Sequence, residues 1–100
     1  MSSKTVKVHG IQETSLEAYR LIQPTLGEKQ AIVYKLIADA THNGFDMTNM
    51  EIAEALHWSI NRVTPRVWEL RNEFYVVVLS QMRDCGVTGN RAMAWKTKET

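Results

Sequence analysis

Hydrophobic positions fall at helical spacing in four runs between residues 14 and 74, and after that the spacing changes to that of strands. Thr14-Ser-Leu-Glu17 has the spacing of a capping box, in which a hydroxyl accepts from the helix start and an acid reaches back to the cap. It predicts a helix to about Gln23, closed by Pro24. Thr25-Leu-Gly-Glu28 is a second box, opening a helix to about His42 with an apolar stripe of Ile32 and Leu36, joined by Lys29 or Val33. Asn43-Gly44 supplies the residue types that tolerate a left-handed cap at its end. Thr48-Asn-Met-Glu51 is the third box, and Ile52, Ala53 and Leu56 behind it are spaced for burial. Ser59 is a good N-cap for a fourth helix. Val63, Val67, Leu70 and Phe74 then recur at intervals of four, three and four, which places them on one face. The opposite face carries Asn61, Pro65, Trp68 and Asn72, flanked by Arg62, Thr64 and Glu69, with Arg66 nearer the core edge.

Tyr75-Val-Val-Val-Leu79 is aromatic and β-branched, the composition of a strand. Asp84 to Asn90, with Gly86 and Gly89, reads as a loop, and Arg91-Ala-Met-Ala-Trp95 alternates as a returning strand. The pattern predicts an α+β, mostly α domain over residues 14–96, with about four helices followed by a two-stranded hairpin. Residues 1–13 show weak periodicity and read as an arm or a short edge strand. Residues 97–100 read as a frayed tail.

Composition narrows the function classes. One hundred residues at 44% hydrophobic make one small domain. Twelve basic against eleven acidic residues exclude a polybasic tail protein, but a DNA binder depends on where charge lies rather than on its total. Residues 1–61 hold five Lys/Arg and seven Asp/Glu, whereas residues 62–100 hold seven and four, so the fourth helix and the hairpin are the positive half. Cys85 is the one cysteine, which leaves no disulfide framework and favours an intracellular, cytoplasmic setting. No apolar run approaches the roughly 18 residues of a membrane span, and the first ten residues lack a signal-peptide core.

The third and fourth helices, separated by a tight turn around Trp58, have the pattern of a helix-turn-helix, and the hairpin behind them completes a winged helix. A helix that enters the major groove needs short or extended polar side chains in its first half. Asn61, Arg62, Thr64 and Arg66 meet that need: Asn pairs with adenine, Arg with guanine, and Thr bonds or touches a thymine methyl. Ser59 and the N–H groups beside it suit a phosphate. Arg83 and Arg91 bracket the hairpin loop, with Asn90 at its tip, in position for the flanking backbone or minor groove. A plain amphipathic helix and solvated strand ends would carry the same residue types. Pro65, the sixth position of its helix, lacks the N–H that would bond the carbonyl near Asn61, which predicts either a loosened, 3₁₀-like first turn or a kink that serves packing. Trp58 is expected to plug the two helices, Trp95 to pack on the core, and Trp68 to lie on the polar side.

Chemistry finds no support in the chain. His9, His42 and His57 are scattered and lack metal spacing with Cys85. No glycine-rich phosphate loop and no nucleophile with a neighbouring base is present. The expectation is a protein that is not an enzyme, with no catalytic or metal residues, no cofactor and no small-molecule ligand.

On these residues the chain resembles small phage and prophage winged-helix proteins and, more broadly, MarR-like regulators. Their recognition helices commonly show V-x-P-R-x-x-E-L, matched by Val63, Pro65, Arg66, Glu69 and Leu70. Their hairpins commonly end in T-G-x-x-A-x-x-W, matched by Thr88, Gly89, Ala92 and Trp95. The likeness spans about residues 26–96. It departs at Glu73-Phe74-Tyr75, where such proteins carry Gly and a hydrophobic residue, and at Asn90, where an arginine is common and this chain has Arg91 one place on. The resemblance implies sequence-specific binding of double-stranded DNA by a small transcriptional regulator, with a homodimer or a partner supplying extra contact area. Two alternatives stay open: a protein-interaction module on the same scaffold, favoured by near-neutral charge, Trp68 and the acidic Glu69 and Glu73, and a DNA-binding accessory in phage replication or excision.

Overall fold

Between Leu26 and Lys98, the residues described by the computed structural model, three helices lean on a three-stranded antiparallel sheet. In chain order these are α1 (Glu28–His42), β1 (Met47–Thr48), α2 (Asn49–Leu56), α3 (Ile60–Asn72), β2 (Val77–Asp84) and β3 (Arg91–Thr97). The architecture is α+β. The helix expected over 14–23 and the arm over 1–13 lie outside the described residues.

The three helices stand where the hydrophobic periodicity places them, with corrections at their edges. The N-cap of α1 is Gly27, not Thr25, and its N–H donates to Gln30 Oε1 at 2.8 Å. The buried face of α1 is Val33, Tyr34, Ile37 and Ala38, whereas Ile32 is 39% exposed and Leu36 only packs against the core. The run Ala31–Ala38 carries apolar residues on two overlapping stripes, and periodicity alone does not choose between them. Packing against α3 and β3 selects the stripe that also buries Tyr34. α2 opens on the Thr48–Glu51 box as expected: Thr48 Oγ1 accepts from the Glu51 N–H at 3.2 Å, and Glu51 accepts from the Thr48 N–H at 3.0 Å. α3 ends at Asn72, two residues before Phe74, and Tyr75 follows with φ +58. The strand predicted over 75–79 therefore begins at Val77 and runs on to Asp84.

The sheet has one more strand than the sequence pattern predicts. Two residues, Met47 and Thr48, pair with Trp95 and Ala94, so β3 is central and the order is β1-β3-β2. A two-residue strand carries no periodicity and is invisible to a pattern. β2 and β3 pair from Val77↔Thr97 to Leu79↔Trp95, shift register at Ser80, and continue from Gln81↔Ala94 to Asp84↔Arg91. β3 also outlasts its predicted end. Thr97 is buried and its N–H donates to Thr41 Oγ1, and the Lys98 N–H donates to the Val76 carbonyl, so the chain is anchored through Lys98.

The core joins Val33, Tyr34 and Ile37 of α1 to Ile52 and Ala53 of α2, Val63, Val67 and Leu70 of α3, and Val77 and Trp95 of the sheet. Among the described residues no helix is long and apolar enough to cross a membrane, and no group of three or more His, Cys, Asp or Glu is placed to hold a metal ion.

Candidate nucleic-acid interface

Burying Val63, Val67 and Leu70 turns Asn61, Thr64, Pro65 and Trp68 outward, with Arg62 exposed beside them. The turn that launches α3 is set by His57, whose φ of +58 is a left-handed cap for α2, and by a Trp58 N–H donated to the Ala53 carbonyl at 2.9 Å. Ser59 has the extended backbone of an N-cap, but its hydroxyl makes no capping bond. The first turn mixes 3₁₀ and α bonding: the Ser59 carbonyl accepts from both the Arg62 N–H at 3.0 Å and the Val63 N–H at 3.3 Å. Pro65 lies inside the helix on its exposed side, where water can serve the carbonyl of Asn61 that its ring leaves without a helical donor.

The arginines of this half of the molecule have different fates. Arg62 rests its guanidinium over the Trp58 ring, 4.5 Å from the centroid. Arg71 lies 4.8 Å from the centroid of Trp95, whose indole N–H donates to Asn49 Oδ1 at 2.9 Å. Arg66 is drawn back along the helix to Glu69 at 3.0 Å, and Glu69 also accepts from Gln30 of α1 at 2.7 Å. Arg66 is thus paired with a carboxylate of its own helix, and its Nε is buried without a partner.

Arg83 is bound by two carboxylates. It is not a solvated hairpin cation but a staple between the sheet and the start of α2. Its Nε donates to Asp46 Oδ1 at 2.8 Å, and its terminal nitrogens donate to Glu51 at 2.7 and 2.8 Å and to the Asp46 carbonyl at 3.0 Å. Ser80 and Gln81 donate to the same Asp46 carboxylate, and the Gly86 N–H donates to Glu51 at 2.7 Å. Burial alone would push the Asp46 carboxyl up, but the bonds from Ser80, Gln81 and Arg83, with the guanidinium charge, hold it at about 2. The bond from Arg83 likewise outweighs burial at Glu51, helped by the N–H groups of Gly86 and Thr48, and holds it at about 2. The two carboxylates push the Arg83 guanidinium up in turn. An arginine with two carboxylates already bound has no charge to offer a phosphate.

Beyond the staple, Asn90 and Arg91 are exposed at the start of β3, and Arg91 forms no ion pair among the described residues. The loop between the strands is closed by Cys85 and Asn90, with the Cys85 N–H on the Asn90 carbonyl at 2.8 Å. Gly89 sits in it with φ +76. Cys85 itself is buried, its sulfur 3.1 Å from Thr48 Oγ1, where burial raises its pKa and the hydroxyl and loop N–H groups lower it to a net decrease.

The structure thus brings Ser59, Asn61, Arg62 and Thr64 together on one exposed surface, leaves Asn90 and Arg91 exposed on the hairpin, and pairs Arg83 and Arg66 with carboxylates. The sequence reading missed Asp46 and Glu51 as partners of Arg83, and Trp58 as the seat of Arg62. The Arg83 contacts join residues 32 to 37 positions apart, which no local pattern reports. The Trp58–Arg62 pair sits at i, i+4 across the turn and was within reach of a helical-spacing argument. Compared with known proteins, the chain matches no family model and no curated protein.

Proposed function

We propose that this chain is a winged-helix protein that binds double-stranded DNA, with α3 in the major groove and the β2–β3 hairpin against the flanking backbone. The observation that carries the reading is the exposed first half of α3. Ser59, Asn61, Arg62 and Thr64 stand on its outer side, while Val63 and Val67 lock its inner side to the core. Asn, Arg and Thr are side chains that read base edges, and the hydroxyl and N–H groups of a helix start suit a phosphate. The element order, with a short strand between the first two helices and β3 central in the sheet, supports the winged-helix reading. Arg91 and Asn90 supply the backbone contact; Arg83 does not. A small phage or prophage transcriptional regulator is the role that fits the motifs, and a replication or excision accessory would use the same surface. A domain this small buries limited area on DNA, so tight site-specific binding calls for a second copy or a partner.

Binding to random-sequence duplex DNA across a salt series tests the reading, with Arg62→Ala/Arg91→Ala beside the parent. Affinity that falls steeply with salt and weakens in the variant, with a slope reduced by about 1 for the lost Arg91 phosphate contact, is the expected result. No binding at about 50 mM salt would sink it and favour the second reading, a protein-interaction module. That reading draws on Trp68, 56% exposed in the middle of the same surface, and on the neutralised Arg66.

A further inference from the structure

Arg62 differs from Arg66 in what holds it. Arg66 is bound by a carboxylate, whereas Arg62 is exposed, makes no ion pair among the described residues, and is laid on an indole ring 4.5 Å away. Trp58 is a firm support. It is half-buried, packed against the core, and its backbone N–H is tied to the Ala53 carbonyl. It belongs to the turn before α3, so its backbone is tied to α2 and its ring packs on the core, while the arginine comes from α3. A guanidinium stacked on an aromatic face has one face covered and its N–H donors arrayed around the rim, in the plane. Guanine offers N7 and O6 side by side in the major groove, and that pair matches two in-plane donors of one arginine. Setting the plane beforehand removes rotamer freedom that a long side chain otherwise loses on contact.

We propose that Trp58 is a positioning residue that holds the Arg62 guanidinium edge-on for a guanine, so that the duplex this chain selects carries a G·C pair facing the start of α3. This rests on the DNA-binding reading above and adds the base and the device that selects it. Asn61 and Thr64 flank the arginine and read neighbouring pairs. Arg66, held to Glu69, contributes no base preference.

The test is selection from a randomised duplex library with the parent protein, Arg62→Lys, Trp58→Phe and Trp58→Leu, followed by affinity on the selected duplex and on one with the guanine replaced, across a salt series. Arg62→Lys keeps the charge, lacks the planar fork, and touches no core. The expected result is a guanine preference on the order of 10-fold in the parent. It is retained in Trp58→Phe and lost in both Arg62→Lys and Trp58→Leu, with the salt slope unchanged in all four. A purely structural tryptophan would instead lower affinity for both duplexes together. Loss of the preference in Arg62→Lys but not in a folded Trp58→Leu overturns the positioning role. Parent binding with no guanine preference, or a preference indifferent to Arg62→Lys, overturns the whole inference and leaves DNA binding standing. No binding to any duplex at low salt removes the DNA-binding reading, and the inference with it.

Discussion

Tyr75 takes a left-handed backbone, φ +58, directly after α3, with its side chain 67% exposed. For an L-residue that conformation costs roughly 1–2 kcal/mol, and an exposed ring recovers little of it through packing. Glycine is the residue this geometry favours. Tyr75→Gly should therefore stabilise the fold by about 1 kcal/mol, the strain relief exceeding glycine's added chain entropy. A thermal unfolding midpoint raised by several degrees is the expected outcome. An unchanged or lower midpoint would mean that the tyrosine ring makes contacts worth as much as the strain. His57 has the same backbone sign, yet it sits in the turn that seats Trp58, so relaxing it would disturb the proposed reading surface. The identity of neither residue announces a positive φ. The turn glycines that do so in sequence, Gly44 and Gly89, could be placed in advance, and the two left-handed non-glycine residues could not.

Among the elements, one arginine staples the hairpin to the start of α2. Arg83 spans Asp46, before β1, and Glu51, in the first turn of α2, with a side chain 26% exposed. Such a pair lies between surface bridges worth under about 1 kcal/mol and buried ones whose breakage costs roughly 3–5. Arg83→Met should cost on the order of 2 kcal/mol, because it leaves two carboxylates facing each other without a cation. The pH dependence follows from the depressed carboxyls. Asp46 and Glu51 ionise at about 2 in the fold, against 3.8 and 4.5 as ordinary carboxyls. In the window between, the unfolded chain binds more protons than the folded one, so stability is full above about 4.5 and falls as pH drops toward 2. Chemical denaturation at a series of pH values should show that decline in the parent and a much shallower one in Arg83→Met. Equal slopes would mean that other carboxylates govern acid unfolding.

At the scale of the whole molecule, the formal charge of +1 does not say which cations are paired; among the described residues Arg66 and Arg83 both meet carboxylates. DNA affinity on this reading depends on a few cations, chiefly Arg62 and Arg91. Removing an internal partner should then matter more than adding surface charge. Glu69→Gln keeps the side chain's shape and its capacity to bond Gln30, but it frees Arg66 on the same helix face. The variant should bind random duplex more tightly, with a salt slope steeper by about 1, the increment for one further phosphate neutralised. A protein-interaction module would show no such gain. Binding measured across the same salt series distinguishes the two.

The sequence by itself determined that α1, α2 and α3 are helices, and which faces of α2 and α3 turn inward. Periodicity, caps and the change of spacing after residue 74 are local properties, written within a few turns of chain. It also marked Ser59, Asn61, Arg62 and Thr64 as outward, because the positions of Val63, Val67 and Leu70 leave them no other side. What only the tertiary structure decided is which of two stripes on α1 is buried, that Met47 and Thr48 make a third strand, and which arginines remain available. Each of these turns on contacts between residues distant in the chain: α1 against α3 and β3, β1 beside Trp95, Arg83 between Asp46 and Glu51. A charge in the sequence is a formal unit; the fold determines whether it meets a carboxylate, an aromatic ring or water.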